Sequence, residues 1–209
     1  MKRHELHVIT TGRQQLAEIE AIARQCPAGL IDAVHLREKQ RGAKELAAWY
    51  DALKPLFAGA DIYINDRLDT ALAVSAPGVQ LAYGSLSVKQ SRRILPAAIR
   101  IGCSVHSAAE AVEAANDGAD YVVYGHIFDS GSKPGLPPRG IRALAEVVEA
   151  CPVPVIAIGG IEPDNVGEVL ATGCAGIAVL SGILLAPEPT RQLVRFREAL
   201  ERSARMPGT

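Results

Sequence analysis

VIAIGGIEPDNVGEVLATGCAGIAVLSG, residues 155–182, decides the fold. It opens on a short apolar run (155–159), crosses two glycines and a proline into helix-patterned residues 164–172, turns at Gly173, and ends on a second apolar run (177–181). Continuous rather than alternating apolar runs mark strands buried on both faces, and a helical crossover between two such runs makes them parallel neighbours. The same alternation extends back to the start of the chain. It predicts strands at 6–10, 33–37, 61–65, 79–81, 99–104 and 121–127, and helices at 14–25, 43–57, 69–75, 107–116, 141–150 and 190–203. Ser107 followed by Glu110 reads as a reciprocal capping box, and Gly118 and Gly173 stand where a left-handed C-terminal cap is needed. A doubly wound open sheet would carry G-x-G-x-x-G after its first strand, and ITTGRQQL (9–16) is not that. About eight β–α repeats in 209 residues, with no linker between them, predict an α/β chain folded as a single (β/α)8 TIM barrel over 1–209.

Composition narrows the function. Lys and Arg number 22 against 23 Asp and Glu, and no block of like charge is long enough to grip nucleic acid or a membrane surface. Aromatic residues make up 4% of the chain, too few for base-stacking platforms. The longest apolar run, VPVIAIGGI from Val153, is far short of the roughly 20 residues that span a bilayer. The basic opening MKRHELHVITTG lacks the apolar core and cleavage site of a secretory signal, so a cytoplasmic protein is expected. Cys26, Cys103, Cys151 and Cys174 are scattered, with no metal-ligand spacing, and read as reduced apolar residues. A homodimer is expected only from the commonness of two-fold dimers.

Barrel chemistry sits at the C-terminal ends of the strands. There the sequence places Thr10–Thr11, HLREK (35–39), Asn65-Asp66-Arg67, Tyr83-Gly84-Ser85, Ser104-Val105-His106-Ser107, Gly125-His126, Gly159-Gly160 and Ser181-Gly182. Cations, imidazoles and glycines outnumber carboxylates, which points to an anionic substrate. Glycines after the seventh and eighth strands suit a phosphate, because backbone N–H groups can approach it without a Cβ in the way. The sixth repeat ends in His126 followed by a long loop with Lys133 and Arg139, a length that is usually functional. An imidazole at a strand end can take or give a proton near neutral pH.

Taken together, HLREK (35–39), INDRLDTALA (64–73), VQLAYGSLSVKQ (79–90), IGCSVHS (101–107), YVVYGHIFDSGSK (121–133), VIAIGGI (155–161) and IAVLSG (177–182) resemble the thiamin phosphate synthase/TenI family over nearly the whole chain. The synthases of that family join a pyrimidine diphosphate to a thiazole phosphate, with magnesium held by two aspartates. Asp66 matches one of them, and Ser85 stands where the other belongs. Synthases generally carry Gln at the place of His35 and Gly-Pro at the place of Gly125-His126. These departures resemble the thiazole tautomerase branch.

That resemblance implies an isomerase that moves a proton on a carboxythiazole phosphate, with aromatisation as driving force and with neither metal nor cofactor. His126 would transfer the proton. Arg37, Lys39 and Lys133 would compensate the anions, and Asn65, Ser104, Ser130, Ser132, Gly159, Gly160, Leu180 and Ser181 would surround the thiazole and its phosphate. Asp66, not needed for such chemistry, would bond Arg67 or a backbone turn. The alternatives are a magnesium-dependent thiamin phosphate synthase, a non-catalytic thiazole-phosphate-binding regulator, and, by fold analogy alone, a phosphosugar isomerase.

Overall fold

The structure, a computed structural model, describes residues 3–133 and 135–205, with the side chain of residue 205 left aside. Along these residues run β1 (Glu5–Ile9), α1 (Leu16–Gln25), β2 (Ala33–Leu36), α2 (Ala43–Leu53), β3 (Asp61–Asn65), α3 (Leu68–Ala73), β4 (Gly78–Leu81) and α4 (Val88–Arg92). They continue through β5 (Arg100–Val105), α5 (Ala108–Asn116), β6 (Tyr121–Gly125), α6 (Gly140–Ala150), β7 (Val155–Ile158), α7 (Val166–Leu170), β8 (Gly176–Val179), α8 (Ser181–Leu184) and α9 (Pro189–Arg205). The strands pair in chain order, all parallel, and β8 closes on β1 with Leu6 opposite Ile177. This is the single (β/α)8 barrel that the repeat pattern predicts.

Two apolar layers hold it. Inside the barrel, Ile9, Ala33, Tyr63, Tyr121, Val123, Ile156 and Ala178 pack together. Between sheet and helices lies a larger aliphatic layer that includes Val34, Leu36, Ile62, Ile64, Val122 and Ile177. Strand residues thus feed both layers alternately, which is why the runs read as continuously apolar. Among the described residues no helix is long and apolar enough to cross a membrane, and the four cysteines are free thiols. Cys174 is buried and the other three half-buried. Burial pushes the Cys103 and Cys174 thiols up to about 11.

Several local expectations shift. Gly118 and Gly173 do take positive φ, +102° and +85°. The Ser107 hydroxyl accepts from Glu110 N at 3.1 Å, but the Glu110 carboxylate accepts from His106 N at 2.7 Å, one residue before the cap. The reciprocal box instead forms around α4, between Ser87 and Gln90. That helix is absent from the sequence-based pattern because five residues are too few to show a period. Residue 181, read as a strand end, begins the short helix α8.

Candidate active site

Parallel closure brings every strand's C-terminal end to one mouth. On β2 the side chains of Ala33 and His35 lie in the barrel interior, and Arg37 follows just past the end of the strand. Arg37 N donates to Thr10 Oγ at 2.9 Å, which ties the first two strand ends together. In the same segment the Glu38 side chain is buried against Arg41 Nε at 3.1 Å. Arg37 and Lys39 are left with no acidic partner among the described residues, and the Lys133 ammonium likewise has none. Three uncompensated cations therefore stand on the β2 and β6 loops.

At the end of β3, Asp66 takes φ +62°, a strained backbone for a residue with a Cβ. Its carboxylate receives the Ser85 hydroxyl from the β4 loop, and Ser85 Oγ also accepts from Ala82 N at 2.7 Å. Of the two bonds expected for Asp66, to Arg67 or to a backbone turn, the one to Arg67 does not form. Arg67 makes a bidentate pair with Asp69 instead, which holds the Asp69 carboxyl down to about 2. Asp66 is thus kept in the mouth as a carboxylate that no arginine neutralises. Beside it the Asn65 Oδ1 is buried without a partner among the described residues. Ser104 accepts from Gln80 Nε2 at 3.1 Å, while His106 faces Glu110 at 3.3 Å at the head of α5.

The β6 loop is folded back on its own strand. His126, 9% exposed, bonds through Nε2 to the Leu136 carbonyl at 3.1 Å. A carbonyl only accepts, so Nε2 carries the proton. Arg139 straps the other end: its N donates to His126 O at 2.9 Å and its Nε to Gly125 O at 3.0 Å. Between these ties lies an open cleft of about 590 Å³, lined by Asp129, Ser130, Gly131, Lys133, Gly135, Leu136 and Pro137. Ser130 borders it, whereas the Ser132 backbone N donates to Ser130 Oγ at 3.3 Å.

Gly159 and Gly160, expected to serve a phosphate, have a packing reason of their own. A Cβ on Gly159 would lie 2.3 Å from His126 Cβ, and one on Gly160 would lie 2.4 Å from Asp129 O. These glycines let the β6 loop lie against the β7 loop. Asn165, which the sequence reading passed over, fixes the turn by donating to Gly160 O at 3.1 Å. Leu180 and Ser181 follow β8 at the entry to the four-residue helix α8.

Sequence reasoning missed a polar chain inside the barrel. His7 and His35, both fully buried, share a bond of 2.9 Å from His7 Nδ1 to His35 Nε2, and His7 Nε2 meets the Glu5 carboxylate at 2.9 Å. Burial and the neighbouring His7 hold His35 well below the usual imidazole range. Only strand register, which sets Ile9 opposite His35, could have shown the pair.

With this geometry in place, comparison with known proteins corrects the functional reading. Residues 6–183 match the TMP-TENI family model, described as thiamine monophosphate synthase. A thiamine-phosphate synthase of Methanoregula boonei is 43% identical over 202 residues, covering 95% of this chain and 94% of its own. A second, of Pyrococcus furiosus, is 37% identical over 199 residues, covering 94% and 95%. The solved structure of thiamine phosphate pyrophosphorylase from Pyrococcus furiosus superposes with a TM-score of 0.84 at 33% identity, over 95% of this chain and 96% of that one. A 3-hexulose-6-phosphate synthase shares only the fold, at 18% identity and a TM-score of 0.74. The expectation of an isomerase, a thiazole tautomerase, is therefore overturned: the relatives carry the name of a transferase along nearly their whole length. The three departures at His35, Ser85 and His126 weighed too much in that expectation, and the Asp66 carboxylate, left unneutralised by Arg67, weighed too little. By the family match and by these identities, the chain belongs to the thiamine monophosphate synthase (TMP-TENI) family.

Proposed function

We propose that this chain is a thiamine-phosphate synthase, a transferase that joins a pyrimidine diphosphate to a thiazole phosphate and releases pyrophosphate. The observation that carries the reading is the set of charges at the strand ends: the Asp66 carboxylate after β3, together with the unpaired cations Arg37 and Lys39 after β2 and Lys133 in the β6 loop. A proton shift on one monophosphate leaves Asp66 without a task. Transfer from a diphosphate uses all four groups.

The donor set fits the magnesium ion that such a substrate brings. Asp66 and the orphaned Asn65 Oδ1 are hard oxygen donors. Among the described residues no group of three or more His, Cys, Asp or Glu forms a cage. That suits magnesium, which is usually held by one or two carboxylates together with phosphate oxygens and water. Asp66 would hold it, with Ser85 orienting the carboxylate in the place of a second acid. When bound, the ion neutralises charge on the leaving diphosphate.

The chain's own residues do the rest. Arg37 and Lys39 meet the diphosphate from β2, and Arg37 has the fork geometry for two phosphate oxygens. Lys133 reaches it from the β6 loop and offsets the charge that grows as pyrophosphate departs. His126 acts as a positioning residue: its Nε2–H holds the Leu136 carbonyl and so sets the loop that carries Lys133, Ser130 and Ser132. Backbone N–H groups around Gly159, Gly160, Leu180 and Ser181 receive the thiazole phosphate, and Ser104 lines the floor between the two substrates. A cytoplasmic location, a small-molecule substrate pair and a homodimeric state belong to the same proposal. The balanced charge and the free thiols support the location.

The reading is tested by chromatography of product formed from both substrates with magnesium. Wild type is expected to make thiamine phosphate, and Asp66→Asn to lose about 10²-fold or more in turnover. Full turnover of Asp66→Asn would remove Asp66 from the mechanism.

A further inference from the structure

The barrel interior holds a hydrogen-bonded chain that the proposed transfer does not use. Glu5, at the N-terminal end of β1, meets His7 Nε2, and His7 Nδ1 meets His35 Nε2, each at 2.9 Å. The two rings lie 5.0 Å apart between their centroids, and both stand edge-on to Tyr63. Tyr121 closes over His7 at 5.6 Å, and Arg100 covers Tyr63 and Tyr121 from β5.

Each link dictates the next. A carboxylate only accepts, so His7 must donate through Nε2. A neutral His7 then offers Nδ1 as an acceptor, and His35 must donate to it through Nε2. The last atom in the chain, His35 Nδ1, is left with a lone pair. That atom is buried and has no partner among the described residues. The reverse order would leave a buried N–H without an acceptor, a costlier orphan than an unused lone pair. Two residues on from His35, just past the end of β2, is Arg37.

We propose that Glu5 is a positioning residue which, through His7, fixes His35 in its Nε2–H tautomer, so that the buried His35 Nδ1 is held as a permanent hydrogen-bond acceptor for a donor group that enters the barrel beneath the mouth. A charge at one end of the barrel thus sets the chemistry of a nitrogen near the other. Glu5 touches no substrate. Its effect on turnover rests on the synthase reading, whereas its effect on the tautomer does not.

The test is 15N NMR of the histidine side chains in the full chain, with wild type compared to Glu5→Gln. Glutamine can accept or donate, so it removes the dictate at the first link. Wild type is expected to show His35 protonated at Nε2 alone, and Glu5→Gln to show a mixture of tautomers. A wild-type His35 protonated at Nδ1, or a tautomer unmoved by Glu5→Gln, would overturn the proposal. Kinetics provide the second arm. Glu5→Gln is expected to raise KM about 3- to 10-fold with kcat nearly unchanged, the scale of one hydrogen bond. In a His35→Gln background, whose amide oxygen accepts without help, Glu5→Gln is expected to have no further effect. Equal losses in both backgrounds would mean a purely structural role. Absence of any synthase turnover would sink the functional reading and leave the NMR arm to decide this one.

Discussion

His35 shows how one buried side chain links pH to stability. Burial and His7 hold its folded pKa below the ordinary value of 6.5. Below about pH 6.5 the unfolded chain binds a proton that the fold refuses, so stability falls as pH falls, by up to about 1.4 kcal/mol per pH unit. Above that pH the residue contributes no slope. Urea titrations from about pH 7.5 to about pH 5.5 should show this loss, and His35→Gln should flatten it. An equally steep slope in the variant would place the acid sensitivity elsewhere. Lys133 belongs to the same scale. If it offsets charge on the leaving pyrophosphate, Lys133→Ala should lower kcat about 10²-fold with the fold unchanged by circular dichroism. The residue types of the mouth were legible because they interrupt apolar strands. Their pairings were not: Arg67 could have taken Asp66 or Asp69, and only the turn at Asp66 decides.

At the scale of elements, the β6 and β7 loops form one unit. Phe128 N donates to Gly159 O at 3.0 Å and Gly140 N to Ile127 O at 3.0 Å, so the long loop starts and ends on bonded backbone. Gly159→Ala would put a Cβ against His126 and strain a φ of +100°. A cost of about 2–4 kcal/mol in thermal or urea unfolding is expected, combining overpacking with backbone strain. A neutral result would mean that the loop shifts freely. Capping at α5 is a milder case: Ser107→Ala should cost about 1 kcal/mol, since it frees the N–H of Glu110. Strands and long helices were legible from period and punctuation. The helix α4 was not, although Ser87 and Gln90 carried its capping box in plain view. The glycine pair after β7 was read for its openness to a ligand, while its closest neighbours are another loop of the same chain.

For the whole molecule, closure of the barrel is secured by α9. Arg197, 3% exposed, donates to Leu30 O at 2.9 Å and His4 O at 3.0 Å and pairs with Asp32, whose carboxylate also receives Leu6 N at 2.7 Å. The last helix is thereby bound to the segments that enter β1 and β2. Arg197→Ala is expected to cost about 1–3 kcal/mol, because two carbonyls lose their donor, while Asp32 keeps Leu6 N and the Arg3 guanidinium. A loss under about 1 kcal/mol would show that closure rests on apolar packing alone. The eightfold repeat made this architecture the most legible feature of the sequence. The reaction was less legible, because three residues, His35, Ser85 and His126, pointed away from the transferase. A carboxylate held by Ser85 and spared by Arg67 is a matter of three-dimensional pairing that no spacing reveals.

On the proposed function, this mouth transfers a pyrimidine from a diphosphate to a thiazole phosphate. The most direct measurement is a coupled pyrophosphate assay with magnesium, run with both substrates and with each omitted. Pyrophosphate release is expected to require both substrates and to match thiamine phosphate one for one. No release with both substrates saturating and the protein folded would contradict it.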